Sequence, residues 1–143
     1  MNKNIETVEI IQRLSEQYNY YREAFIFTLE VIHYSSQRIK KDEGKQRHLS
    51  CEEFANEFVE FAKNKFGVLA DTVLEQWNVR TSKDIGILVF SLIENGMMSK
   101  NEEDSLDQFE GLFETKDVSR YDWKKDFDTD NIQYVHLTTG NQN

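Results

Sequence analysis

The chain has 143 residues, with ten Phe, six Tyr and two Trp among them, no proline and one cysteine. This length is typical of one domain that buries its own core, and a single cysteine excludes an internal disulfide framework. The net charge is −9, and residues 101–143 hold 11 of the 26 acidic residues but 4 of the 17 basic ones. Because phosphate-rich partners are bound mainly through clustered Lys and Arg, this balance disfavours nucleic acids and anionic membranes.

The sequence also bears on location and domain organisation. It contains no apolar run long enough to cross a membrane, and its first residues mix Lys, Asn and Glu rather than form a signal segment. A lone cysteine fits a reducing compartment. We therefore expect a cytoplasmic protein in which residues 1–120 form a single helical domain and residues 121–143 form an acidic C-terminal extension, partly ordered at best.

Residues 5–18 and 21–40 each carry apolar side chains at three- and four-residue spacing, which predicts two helices. The predicted buried positions are Val8, Ile11, Leu14 and Tyr18 in the first helix, and Phe25, Thr28, Leu29, Ile32, Ser36 and Ile39 in the second. Residues 41–47 are polar and include a glycine, so we expect an exposed loop there.

A third helix is predicted from its start and stop signals. Ser50 and Glu53 have the spacing of a capping box, in which each side chain bonds the backbone N–H of the other residue. Gly67 is well placed to end the helix. Its predicted core face consists of Phe54, Phe58, Phe61 and Ala62.

Two further helices are predicted, a short one over residues 68–77 and a strongly amphipathic one over residues 82–95. Thr81 or Ser82 caps the second of these, and Gly96 supplies its left-handed end. Gly86 lies inside this helix, where glycine costs about 1 kcal/mol in helix propensity. We therefore expect another backbone segment to approach closely at Gly86 and to make a packing contact there.

Residues 97–113 fit either of two structures, a hairpin across a polar turn or a helix. A short helix, a turn, an amphipathic helix and a hairpin would together resemble a winged helix-turn-helix. The predicted fold is therefore mainly α, a compact bundle of about five helices with a winged-helix-like C-terminal half and, if the hairpin forms, a small β-hairpin.

That resemblance raises nucleic-acid binding as an alternative function. Cations for phosphate contacts are few, and the acidic residues between positions 102 and 110 would repel a phosphate backbone. The candidate nucleic-acid-binding residues are Arg80 and Lys83 near the fifth helix, and Arg38, Lys40, Lys41, Lys45 and Arg47 in a basic cluster that also includes His48.

Metal and catalytic signals are weak. His48 and Cys51 are close in sequence, but a zinc site needs three or four ligands. Asp126, Asp128 and Asp130 resemble the start of a calcium loop, although the glycine and the glutamate that complete such a loop are missing. The sequence contains no triad context, glycine-rich nucleotide loop or paired-histidine motif. We therefore predict no catalytic residue, no metal and no cofactor.

Five runs of sequence are similar to a bacterial family of conserved hypothetical proteins of about this length, largely planctomycete and verrucomicrobial. The runs are residues 47–50, 66–70, 73–79, 84–86 and 89–90. The resemblance extends from about residue 21 to about residue 109. It implies a cytoplasmic protein of unknown activity and no functional residues to carry over. Cys51 departs from the family, in which a small residue such as glycine is expected.

The leading functional hypothesis is a non-enzymatic protein–protein interaction module. Tyr121, Trp123 and Phe127 lie among acidic residues in the C-terminal segment and suit a docking segment, because aromatic side chains dominate binding energy at interfaces. Homodimerisation through the aromatic helix faces is a further prediction that the sequence leaves open.

Overall fold

The structure is a computed structural model and describes residues 3–118. Within this range the fold is mainly helical, as predicted. Four helices of 13 or more residues form a bundle: α1 (Lys3–Tyr18), α2 (Arg22–Glu43), α3 (Cys51–Phe66) and α5 (Ser82–Glu94). The seven-residue α4 (Ala70–Gln76) joins α3 to α5 and is entered through a 3-10 turn at Gly67–Leu69. Two 3-10 helices follow α5, at Leu106–Phe109 and Thr115–Asp117.

The described bundle therefore has four helices rather than the expected five. The predicted fourth helix, over residues 68–77, divides into a 3-10 turn and the short α4. Gly67 ends α3 with a positive φ of 60°, and the chain turns before it becomes α-helical again. None of the helices within residues 3–118 combines the length and apolarity that a membrane crossing requires.

The predicted caps of α3 are confirmed. Ser50 Oγ accepts the Glu53 N–H at 3.1 Å, and the Glu53 carboxylate accepts the Ser50 N–H at 2.9 Å. Thr81 is the residue that precedes α5, and Gly96 has the expected left-handed conformation with φ of 76°.

The predicted loop over residues 41–47 is wrong in its first half. Helix α2 continues to Glu43 and ends at Gly44, whose φ is 78°. An ion pair of 3.6 Å between Arg38 and Asp42, one helical turn apart, stabilises this last turn. The exposed connection to α3 therefore begins only at Gly44.

The core is rich in phenylalanine and lies between α2, α3 and α5. Its largest fully buried side chains are Phe25, Phe27, Phe58, Phe109, Leu14, Ile39, Leu74, Ile85, Leu88 and Leu92. One predicted core position is wrong, because Val8 on α1 is 60% exposed. Helix α1 packs mainly on α2, and the Val8 side chain in its early turns stays uncovered.

Residues 97–113 form neither the hairpin nor the continuous helix that the sequence allowed, and the described part of the chain contains no β-strand. The backbone of this segment bonds to α5 instead. Ser82 Oγ donates to the Phe109 carbonyl and accepts the Leu112 N–H at 3.1 Å. A single antiparallel bridge joins Thr81 and Glu114. The hairpin that a winged helix needs is thus not seen within residues 3–118.

Gly86 explains why this segment can lie on α5. A Cβ atom at Gly86 would stand 2.8 Å from Leu106 Cδ1 and 2.8 Å from Phe109 Cβ. The expected packing contact at this glycine is confirmed, but the approaching atoms belong to side chains of the 3-10 helix and not to another backbone.

Candidate functional site

A cleft of about 490 Å³ with a mainly apolar lining lies at one side of the bundle. Helices α2, α3 and α5 supply its walls, and residues 46–50 and 97–104 supply its rim. Well-formed apolar pockets with a few polar groups are where proteins most often bind ligands and partner segments. The cleft is therefore the candidate functional site.

The floor of the cleft is apolar because each element turns an apolar face towards it. The face of α5 contributes residues one turn apart, and the capped start of α3 contributes Cys51 and Phe54. Two consecutive methionines after α5, Met97 and Met98, are partly buried there. The full set of apolar lining residues is Ile32, Leu49, Cys51, Phe54, Val89, Phe90, Ile93, Met97, Met98 and Phe109.

Two of the three basic side chains at the rim, Arg47 and His48, contact carboxylates. Arg47 pairs with Glu43 at 2.9 Å and with Glu53 at 3.0 Å. These contacts raise the pKa of Arg47 and lower the pKa of both carboxyl groups. His48 Nε2 lies 2.9 Å from Asp104 Oδ2, which joins the loop before α3 to the segment after α5.

Lys100 is the third basic side chain of the rim and differs from the other two. Its ammonium donates to the Asn101 carbonyl at 3.1 Å, and within residues 3–118 no carboxylate lies at ion-pair distance from it. Lys100 is also exposed. Among residues 3–118, Lys100 is thus a rim cation without an acidic partner, and it lies beside an apolar floor.

Cys51 lines the cleft, and its surroundings favour the neutral thiol. Its side chain is 7% exposed, and burial, together with the nearby Asp104 carboxylate, raises the pKa of the Cys51 thiol. A nucleophilic cysteine needs the opposite, a pKa lowered by a cation or a helix start. The His48 ring contacts Asp104 and so links the two sides of the rim. No hydrogen bond between described residues joins His48 to the Cys51 thiol.

The candidate nucleic-acid residues fall into two separate groups. Arg80 and Lys83 lie at the beginning of α5, where Lys83 pairs with Glu110 at 3.4 Å. The basic cluster lies at the end of α2 and in the loop that follows it. There Arg38 pairs with Glu57 at 3.0 Å, while Lys40, Lys41 and Lys45 are exposed. No hydrogen bond or ion pair between described residues joins the two groups.

The C-terminal candidates lie outside the described residues. They are the aromatic residues Tyr121, Trp123 and Phe127, and the aspartates that resemble the start of a calcium loop, Asp126, Asp128 and Asp130. Within residues 3–118, no group of three or more His, Cys, Asp or Glu side chains is arranged to hold a metal ion.

Sequence reasoning missed the cleft itself. It placed a few of the lining residues, such as Ile32, Ser36 and Phe54, at core positions and assigned residues 97–113 to a hairpin or a helix. The one local signal was the pair Met97-Met98 just after the helix stop at Gly96, since exposed methionines are common on adaptable binding surfaces.

Comparison with known proteins adds no relative to this picture. No protein-family model, curated protein or solved structure matches the chain. The resemblance to the bacterial family of hypothetical proteins therefore stays a prediction, and the function is argued from the geometry of the cleft.

Proposed function

We propose that the protein is a non-enzymatic interaction module whose cleft binds a short segment of a partner protein, one with an apolar anchor side chain next to a carboxylate. The observation that carries this proposal is an apolar floor with two methionines beside the Lys100 ammonium, which meets no carboxylate among the described residues. Apolar grooves of this kind accept two or three anchor side chains of a bound segment.

The floor supports a protein segment because its side chains are adaptable. Met97 and Met98 are unbranched and polarizable, and partly buried. They can repack around aliphatic or aromatic anchors. A cleft of about 490 Å³ is within the usual range for binding pockets and takes a few side chains rather than a domain.

The rim supports a carboxylate as the polar feature of the ligand. The carboxylates that face Arg47 and His48 are already in contact with those side chains. A positively charged ligand would have to break one of these contacts to reach a carboxylate there. Lys100 offers an ammonium that a carboxylate can approach from solvent. Such a charged pair fixes the orientation of a segment more than it adds affinity.

The proposal is tested by selecting binders from a displayed random-peptide library against the full chain. We expect selected peptides to share an aromatic or aliphatic residue within a few positions of Asp or Glu. Lys100→Glu should weaken their binding about tenfold or more, because it replaces an attraction with a repulsion. Binding is measured by isothermal titration calorimetry.

Matched variants separate the cleft from the rest of the surface. Lys45→Glu changes an exposed lysine that does not line the cleft, and it should leave binding unchanged. Met98→Lys should abolish binding through the floor, whereas Leu69→Lys, at a position 59% exposed and away from the cleft, should not. Peptides that bind Lys100→Glu and Met98→Lys as well as they bind the wild type would overturn the proposal.

Less supports the nucleic-acid alternative. Lys83 and two members of the basic cluster, Arg38 and Arg47, are paired with carboxylates, and a phosphate would have to displace those partners. An enzyme has still less support, since burial raises the pKa of the one thiol in the cleft.

A further inference from the structure

We propose that the acidic, aromatic segment around Phe127 of this same chain occupies the cleft as an intramolecular competitor of the partner. This inference deepens the proposed function, and it rests on that function in one respect, that the cleft accepts an apolar anchor flanked by carboxylates. Phe127 sits directly between Asp126 and Asp128, which is the chemistry that the cleft selects.

Charge complementarity is the first argument. Lys100 is the rim cation without an acidic partner among the described residues, and it adjoins the apolar floor. With the Phe127 ring in the floor, the neighbouring carboxylate of Asp126 or Asp128 stands close to the Lys100 ammonium. One short segment then satisfies both the apolar and the charged feature of the cleft.

The position where the described chain ends is the second argument. Val118 is buried and lies in a groove against α3 beside Val59. Cleft residue Phe54 is on the same helix, five positions earlier, which is about 7.5 Å along the axis at the α-helical rise. To reach the cleft, the chain after Val118 must also pass around α3, and an α-helix is about 10 Å in diameter.

The length of the connecting chain is sufficient for this path. Phe127 follows Val118 by nine residues, and nine extended residues span up to about 30 Å. The segment can therefore cross α3 and reach the cleft of its own molecule. A short tether gives a high effective concentration, so even a weak contact would compete with a partner in solution.

The test is zero-length crosslinking of the full wild-type chain with a carbodiimide, which joins an amine only to a carboxylate at ion-pair distance. Mass spectrometry should identify a link between Lys100 and Asp126 or Asp128 within one molecule. Phe127→Ser should reduce the yield of this link about tenfold, since it removes the apolar anchor. Tyr134→Ser, a change of aromatic residue farther along the chain, should leave the yield unchanged.

Isotope mixing separates this occupant from a second copy. In an equal mixture of ¹⁴N- and ¹⁵N-labelled protein, the linked peptides should carry one label only. Mixed-label links would overturn the intramolecular arrangement in favour of exchange between two copies. Equal links from Asp126 to Lys40, Lys45 and Lys100, or a yield unaffected by Phe127→Ser, would overturn docking in the cleft.

The outcome also distinguishes this inference from the proposed function. If selected peptides bind through Lys100 but no Lys100 link forms, then the segment is not the occupant and the interaction module stands. If no peptide binds and no link forms, then both proposals fail.

Discussion

The hydrogen bond between Tyr20 and Asp84 joins the turn after α1 to the beginning of α5. The Tyr20 hydroxyl donates to one oxygen of the Asp84 carboxylate. The other oxygen accepts the Arg80 N–H at 2.8 Å and the Thr81 N–H at 3.0 Å. One carboxylate therefore both caps a helix and ties two parts of the bundle together.

Tyr20→Phe tests this contact through its pH dependence. Burial, and then the bond to Asp84, raises the pKa of Tyr20 well above its ordinary value. A raised folded-state pKa contributes stability that is present below about pH 10, the pKa of an unfolded tyrosine, and is lost at higher pH. The free energy of unfolding of the variant should be about 1–2 kcal/mol lower at pH 7. Above pH 10 it should decline less steeply with pH than that of the wild type.

Urea denaturation between pH 7 and pH 11 measures both effects. Tyr34→Phe serves as the control. Tyr34 is 48% exposed, so the loss of its hydroxyl should change neither the stability at pH 7 nor its decline above pH 10. A Tyr20→Phe variant with wild-type alkaline behaviour would contradict a Tyr20–Asp84 bond in solution.

At the scale of elements, the packing of the 3-10 helix Leu106–Phe109 on α5 shapes one wall of the cleft. Leu106 and Phe109 of the 3-10 helix pack directly over Gly86, and Phe109 also lines the cleft. Buried Ser82 holds the same segment by its backbone. The cleft therefore depends on a helix position that cannot carry a side chain.

Gly86→Ala should destabilise the protein although it improves helix propensity. The propensity gain is about 1 kcal/mol, whereas overpacking a tight contact costs about 1–3 kcal/mol. The Phe109 Cβ atom, 2.8 Å from the new methyl group, is attached to backbone and cannot move independently. We expect a net loss of about 1 kcal/mol in chemical denaturation, together with weaker peptide binding.

Glu94→Ala is the control for this prediction, since it exchanges an exposed residue in the last turn of the same helix. It should keep wild-type stability within about 0.5 kcal/mol. A Gly86→Ala variant more stable than the wild type would show that the 3-10 helix is not held against α5.

At the scale of the whole molecule, the net charge of −9 and the ion pairs of several surface cations both disfavour binding to a phosphate backbone. Lys83, Arg38 and Arg47 each face a carboxylate. We therefore expect no retarded complex in a mobility-shift assay with generic duplex DNA or single-stranded RNA, even at low salt, where phosphate binding is strongest.

A basic protein at the same concentration provides the positive control for that assay. Retardation of the wild type that disappears in Arg80→Ser and Lys83→Ser would contradict the expectation and favour the nucleic-acid alternative. Retardation that persists in these variants would indicate binding through the basic cluster at the end of α2.

The locally encoded features of the fold could be predicted from the sequence. The capping box of Ser50 and Glu53, the stop at Gly67 and the apolar face of α5 each depend on residues within a few positions of one another. Such signals need no knowledge of the rest of the chain, because a helix satisfies its backbone hydrogen bonds within its own segment. The mainly helical fold class follows from them.

Only the tertiary structure decided what lies against each helix. Val8 has the same spacing as Ile11 and Leu14, but it is exposed because little packs on the first turns of α1. Residues 97–113 carry no strong local preference, so their conformation follows from bonds to Ser82 and contacts at Gly86. The cleft forms between segments distant in sequence, and so does the position of Lys100, which has no acidic partner among residues 3–118. The periodicity of a single segment cannot predict such contacts.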